Sequence, residues 1–408
     1  MPKINPIVVE AEQAITRRVE PKCRHFGFCG GCSLQHLDYA AQAEWRRGEV
    51  AAKMDRELGA GRFPPLQAAL MEEPWGHRSK MEFTFGQDGE RLVLGLHQKD
   101  RFDRIVDIER CEIAAPDVSR LIAGIRDFAG RSTFASYGQR NRSGFWRYAV
   151  VRVSRSTGQM MLLLITATGP REPLERMAQQ LQREVPALKS FYWGITDKVS
   201  DVAQPDRLER IAGDELLEDS VGSVRYRFGP MVFLQPNHAL VGKAYETIRE
   251  NARLTGRETV YELYCGIGLI GLTLAGSAAR VIGVESEPQN VELAERNAAL
   301  NGVSNVSFLR GKTEDLLKGR ALFRAAPAPP DVIVVDPPRA GLHKEVYAPL
   351  LASGAPRLLY MSCNPASLAR DLTVLMGPGG YRAEAAYLFD FFPHTVHAEV
   401  LAVLVRSS

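Results

Sequence analysis

The 408-residue sequence has no hydrophobic run able to cross a bilayer: none exceeds 6 residues, the length of Met160–Ile165, where a spanning helix needs about 20. The first twenty residues carry Glu10, Glu12, Arg17, Arg18 and Glu20 and no apolar core of a secretory leader. A cytoplasmic protein without a membrane partner is therefore expected. Cysteine is scarce as well. Six in a chain of this length cannot form the disulfide framework of a secreted scaffold, and a reducing compartment fits them better. Charge of one sign is not in excess, with 51 Lys and Arg against 48 Asp and Glu, so a polyanionic partner would have to be met by a local basic face. Internal repeats and low-complexity tracts are missing too. What is present, 45% hydrophobic and 24% charged residues, is a globular balance in a chain long enough for two or three domains.

The few cysteines are grouped. Cys23, Cys29 and Cys32 form a C-x5-C-x2-C loop with Gly27, Gly30 and Gly31, where glycine lets the backbone wrap closely around a bound centre. Three thiolates leave one ligand to find. Zinc would take it from a histidine such as His25 or His36, and an iron–sulfur cluster from a further cysteine. Cys111 is the candidate for the latter, and spacing alone leaves the two metals open.

Downstream, the apolar pattern predicts an amphipathic helix over Tyr39–Leu58, ended by Pro64-Pro65. Strand-like runs Lys80–Gly86 and Arg91–Gln98 flank an Asp-Gly turn, and Tyr148–Ser154 and Met160–Ala167 flank a second turn, which predicts a central antiparallel sheet between residues 76 and 230. No acidic residue stands between Gly130 and Ser156. There Arg131, Arg140, Arg142, Arg147, Arg152 and Arg155 alternate with Phe134, Tyr137, Phe145, Trp146 and Tyr148, a composition that offers guanidinium groups to phosphate and rings to bases. The plainer reading of the same segment is a hairpin with solvated arginines and core aromatics. Phe233 is a weaker candidate for contacting a base.

From Asn237 onward, helices alternate with β-rich runs at Thr259–Tyr264, Arg280–Glu285, Val306–Leu309, Asp331–Asp336 and Arg357–Ser362. This predicts an α/β domain with a doubly wound parallel sheet, which binds ligands at the carboxyl ends of its strands. Gly266-Ile267-Gly268-Leu269-Ile270-Gly271 follows the first run, and Glu285 ends the second. Glycines admit a nucleotide close to the backbone and the acid can accept from ribose hydroxyls, so a nicotinamide-dependent oxidoreductase competes with any other nucleotide-binding enzyme. Asp336-Pro337-Pro338-Arg339 and Ser362-Cys363-Asn364-Pro365 follow the next strands, and an oxidoreductase calls for neither. An aromatic residue in place of Arg339 would have suggested methylation of an exocyclic amine. A cysteine would have no role there, so a carbon target is expected. Cys363 precedes a predicted helix whose N-terminus would favour the thiolate.

With Phe233-Leu234-Gln235-Pro236-Asn237 and Phe392-Pro393-His394-Thr395-Val396-His397-Ala398-Glu399, these motifs resemble the S-adenosylmethionine-dependent RNA uracil-C5 methyltransferases, over Cys23 to Glu399. The resemblance implies three regions: a cysteine-rich segment (1–75), a central β-rich RNA-binding domain (76–230) and a Rossmann-like class I methyltransferase domain (231–408). It implies cofactor contacts from Gln235, Tyr264, Gly266, Gly268, Glu285 and Asp336. A nucleophile at Cys363 and a base at Glu399 follow, with His394 and His397 supporting and Cys265 packing. A polar residue common in relatives is replaced here by Leu269, which removes one expected hydrogen bond. The resemblance also implies a 4Fe-4S cluster on Cys23, Cys29, Cys32 and Cys111. The expected partner is RNA, ribosomal in preference to transfer RNA, and no obligate protein partner is implied. A non-catalytic iron–sulfur RNA-binding protein is the reading outside enzymology.

Overall fold

The computed structural model describes residues 5–138, 141–199, 202–318, 322, 329–377 and 380–407. Seventeen strands among the described residues are numbered in chain order, and helices are named by their residues. The C-terminal half is built on five short apolar strands, β11 (Thr259–Leu263), β12 (Arg280–Glu285), β13 (Val306–Arg310), β14 (Val332–Val335) and β15 (Arg357–Ser362). All five pair in parallel. The all-apolar Val332–Val335 and the buried interiors of β11, β12 and β15 suit strands covered on both faces, and β13, at the edge, is half-exposed. The sheet then reverses, because β17 (Glu399–Arg406) is inserted antiparallel between β15 and β16 (Tyr381–Phe389). With β1 (Leu66–Ala69) at the edge the order is β1-β16-β17-β15-β14-β11-β12-β13. The expected parallel sheet is thus mixed, and the inserted strand brings the chain's last motif beside Cys363.

The second sheet contains β2 (Lys80–Asp88), β3 (Arg91–Gln98), β4 (Arg101–Asp107), β5 (Trp146–Val153), β6 (Met160–Thr166), β7 (Leu188–Ile195) and β8 (Arg207–Gly213), ordered β4-β3-β2-β5-β6-β7-β8. It is not purely antiparallel as expected. β6 and β7 run parallel, because the helix Glu172–Glu184 between them carries the chain back across the sheet. Every residue of β5 and β6 is buried. One face packs on the helices Pro116–Gly130 and Glu172–Glu184. The other, through Tyr148, Val150, Met161, Leu163 and Ile165, joins a core shared with β9 (Leu217–Val221), β10 (Val224–Phe228) and the parallel sheet.

The region up to residue 75 does not stand apart. β1 pairs with β16, and Val50, Met54 and Leu58 of the helix Tyr39–Leu58 bury into the core beneath the parallel sheet with Leu368, Leu372 and Leu375. Burying such a leucine or valine removes about 1.5–3 kcal/mol of unfavourable hydration. No described helix is long and apolar enough to cross a membrane.

Candidate active site

The turn after β11 is tight and strained. Tyr264, Gly266 and Gly268 have φ of 64°, 55° and 81°, and a tyrosine in the left-handed region costs energy that a glycine does not. A Cβ on Gly268 would lie 2.7 Å from the Phe308 ring, whereas one on Gly266 would meet nothing within 4 Å. Open space over Gly266 is what close approach of a nucleotide requires. Gly271, the third glycine, serves packing instead: its N–H donates to Glu262 Oε2 at 2.9 Å, and a Cβ there would come within 2.5 Å of that oxygen. Glu262 is buried, and burial first, then the neighbouring Asp336 and Glu285, pushes its carboxyl up to about 8 against the hydrogen bond from Gly271. Sequence reasoning missed Glu262, which looked like one more residue of an apolar strand. Its signal was a charged residue inside that run.

Glu285, at the end of β12, holds the turn together by accepting from Gly266 N at 3.0 Å and from Glu287 N at 2.8 Å. Leu269 is buried. Cys265 is buried in packing, as expected.

Strand register places the remaining groups. Ser362 of β15 pairs with Val400 of β17, so one step further Cys363 stands opposite Glu399 across the antiparallel ladder, where side chains share a face. Asp336 follows the last residue of β14, whose Val335 pairs with Tyr360 of β15. Gln235, just ahead of the helix His238–Ala252, donates from Nε2 to Asp336 Oδ2 at 3.0 Å. Gln235, Asp336, Cys363 and Glu399 thus gather at the carboxyl ends of β14 and β15, and the glycine turn sits at the end of adjacent β11.

Their electrostatics depart from expectation at one point. Burial pushes the Cys363 thiol up to about 11, Glu399 adds to the rise, and Arg339 opposes it. Asn364 caps the helix Pro365–Met376, its side chain accepting from Ala366 N at 3.1 Å. Desolvation and the facing carboxyls outweigh what lowers this thiol, Arg339 and a backbone hydrogen bond. Glu399 is 1% exposed, and neither carboxyl oxygen has a hydrogen-bond partner. Burial, with Asp336 nearby, raises it well above the carboxylate range. Burial also raises Asp336, against the hydrogen bond from Gln235. Buried Glu399, half-buried Asp336 and the Cys363 thiol form a site whose ionised forms a positive charge would stabilise.

A second constellation lies on the central sheet. Cys23, Cys29, Cys32 and Cys111 line one pocket with Phe26, Gln35, Leu96 and Ile108. His25 and His36 are not among its walls, and His36 Nε2 instead meets Glu12 at 3.2 Å. Among the described residues, no three His, Cys, Asp or Glu side chains converge as the ligands of a single metal ion. Gly31 N lies 3.3 Å from Cys29 Sγ. Burial pushes the Cys29 and Cys32 thiols up to about 11 and 12.

The basic and aromatic segment is largely internal. Arg147 and Arg152 are each 2% exposed. Arg147 donates to the carbonyls of Thr196 and Lys198, and Arg152 to those of Gly229, Pro230 and Val232. Phe145, Trp146 and Tyr148 are core residues. These five are turned into the fold: Trp146, Arg147, Tyr148 and Arg152 belong to the fully buried β5, and Phe145 just precedes it. Arg131, Arg142 and Arg155 are exposed, and Arg140 lies outside the described residues. Phe233 is 71% exposed, close in sequence to Gln235.

The family model described as tRNA (uracil-5-)-methyltransferase matches residues 207–407. An uncharacterized RNA methyltransferase of Nitratidesulfovibrio vulgaris is 36% identical over 94% of this chain and 82% of its own. One of Halalkalibacterium halodurans is 34% identical over 97% and 86%. The crystal structure of Pyrococcus abyssi tRNA (uracil-54, C5)-methyltransferase in complex with S-adenosyl-L-homocysteine is 28% identical, with a TM-score of 0.75 over 93% of this chain and 86% of that one. A literal G-x-G-x-x-G therefore does not mark an oxidoreductase here, and the chain belongs to the tRNA (uracil-5-)-methyltransferase family of S-adenosylmethionine-dependent RNA methyltransferases.

Proposed function

We propose that this enzyme methylates C5 of a uridine in ribosomal RNA through a covalent bond between Cys363 and C6 of the base. The observation that carries the reading is the register opposing Cys363 and Glu399, with Glu399 buried and its oxygens unpartnered. C5 of uracil is a weak nucleophile. Addition of the Cys363 thiolate to C6 makes C5 enolate-like. S-adenosylmethionine, when bound, supplies the methyl group and a positive charge beside Asp336 and Glu399. That charge favours the anionic forms of Cys363 and both acids. Glu399 then accepts the C5 proton, the C6–S bond breaks, and Cys363 leaves as thiolate. Gln235, Tyr264, Gly266, Gly268, Glu285 and Asp336 are assigned to the cofactor, since they surround the open turn and the strand ends beside Cys363. A stacked uracil hides C5 and C6, so the base must be extruded or already unstacked.

The four cysteines are assigned to a 4Fe-4S cluster. Four thiols, and no histidine, line one pocket. A single zinc would need its donors converging on one point about 2.3 Å from each sulfur. Methyl transfer involves no net electron transfer, so the cluster's contribution is to hold the loop that binds it.

Transfer RNA is the second reading for the substrate, favoured by the likeness to the Pyrococcus abyssi enzyme. Ribosomal and transfer RNA transcripts containing 5-fluorouridine decide between them. Fluorine at C5 cannot leave as a proton, so a methylated protein–RNA adduct that survives denaturation is expected on one RNA, and is expected to vanish in Cys363→Ala. No adduct on either RNA, from protein that binds S-adenosylmethionine, would refute uracil C5.

A further inference from the structure

The cysteine loop and the segment carrying the proposed base are joined directly. Ser33 N and Leu34 N, the two residues after Cys32, both donate to the carbonyl of His394, at 2.9 and 3.0 Å. That carbonyl is presented by a backbone in the left-handed region, φ 63° at His394, which a non-glycine residue keeps only when its surroundings impose it. The surroundings are identifiable. Trp75 stacks on the imidazole at 4.2 Å between centroids. Gln42, fully buried, donates from Nε2 to the carbonyls of Leu34 and Leu37, each at 2.8 Å, and lies 3.5 Å from His394 Nδ1. Arg46, one turn further along the same helix, donates to Thr395 O at 2.6 Å and pairs with Asp390 at 2.7 Å. On the other side the cysteine loop is tied to the central sheet, with Gly30 N donating to His97 O at 2.9 Å. Five residues after His394 comes Glu399.

We infer that residues 33–34, held by Gln42 and by whatever centre fixes Cys32, act as a positioning clamp on the 390–397 turn. Gln42 and Ser33–Leu34 set Glu399 for removal of the C5 proton without touching substrate. The inference rests on the assignment of Cys363 as nucleophile and Glu399 as base. It places the clamp's effect at one step: the C6–S bond forms and the methyl group passes from the sulfonium to C5, leaving S-adenosylhomocysteine, while C5 keeps its hydrogen, and elimination waits on Glu399.

Gln42→Leu removes the amide while keeping most of the volume. The test compares it with the wild type on RNA containing ordinary uridine and on RNA containing 5-fluorouridine, reading the denaturation-stable methylated adduct on gels. Retention of the cluster's visible absorbance by Gln42→Leu is verified beforehand. The expected result is unchanged adduct on 5-fluorouridine RNA, with methylated adduct on ordinary uridine raised at least tenfold and product release slowed to match. Cys32→Ser, which disturbs the loop from the other side, is expected to accumulate the same adduct. Product release at the wild-type rate with no adduct on ordinary uridine would overturn the clamp, as would equal loss of adduct on both RNAs in Gln42→Leu. Failure of the wild type to trap on 5-fluorouridine would instead refute the nucleophile assignment.

Discussion

Cys363 lies where burial and two acids oppose its ionisation, so its reactivity reports the site's charge. Its thiol is pushed up to about 11 from an ordinary 9.0. Alkylation of Cys363 by iodoacetamide, followed by peptide mass spectrometry, is therefore expected to keep rising about tenfold per pH unit beyond pH 9, because only the thiolate reacts. A plateau below pH 9 would contradict the geometry. The sign for stability is the reverse: a group whose folded pKa is raised binds more protons folded than unfolded between about 9 and 11, so its contribution is full below pH 9 and is lost as pH rises through 11. Gly268 supplies a second test at this scale. Its φ of 81° and the Phe308 ring 2.7 Å from where an alanine Cβ would stand mean that Gly268→Ala should cost about 1–3 kcal/mol. Denaturant unfolding measures that cost, and weaker S-adenosylmethionine binding should accompany it. An alanine variant as stable as the wild type would show the turn to be more yielding.

At the level of elements, strands were legible because apolar runs bounded by turn residues leave few alternatives. The sequence reading places β11 over Thr259–Tyr264, against Thr259–Leu263 observed, and it matches β12, β15 and the helix Tyr39–Leu58 residue for residue. Pairing direction was harder to read. Nothing local to residues 399–406 says that β17 inserts between β15 and β16, and that insertion opposes Glu399 to Cys363. Nor does the alternation in β5 distinguish a solvated hairpin from one covered on both faces. Arg147 and Arg152 bond to backbone carbonyls more than forty residues away in sequence, a pairing no local pattern carries. The motif glycines were read correctly as a turn, but Gly271 answers to Glu262 and not to a ligand. The cysteine grouping was the clearest signal, since Cys111 joins the pocket from 79 positions beyond Cys32.

Across the whole molecule, the N-terminal helix and the last motif are fastened to each other. Arg46 and Asp390 are 1% and 0% exposed and 2.7 Å apart, although 344 positions separate them. Removing one member of a buried pair strands the other charge, and Asp390→Leu is expected to lower stability by about 3–5 kcal/mol, measured by urea unfolding. A change below about 1 kcal/mol would mean that the pair is not buried in solution. This fastening, the shared core between the two sheets and the cysteine loop's bonds to β3 and to the 390–397 turn tie the N-terminal segment and the two sheets to one another. Transcripts labelled with tritium at C5 of uridine show whether the methyl group goes to uracil C5: one tritium released to water for each methyl group transferred is the expected result, and methyl transfer that leaves the tritium in the RNA would contradict it.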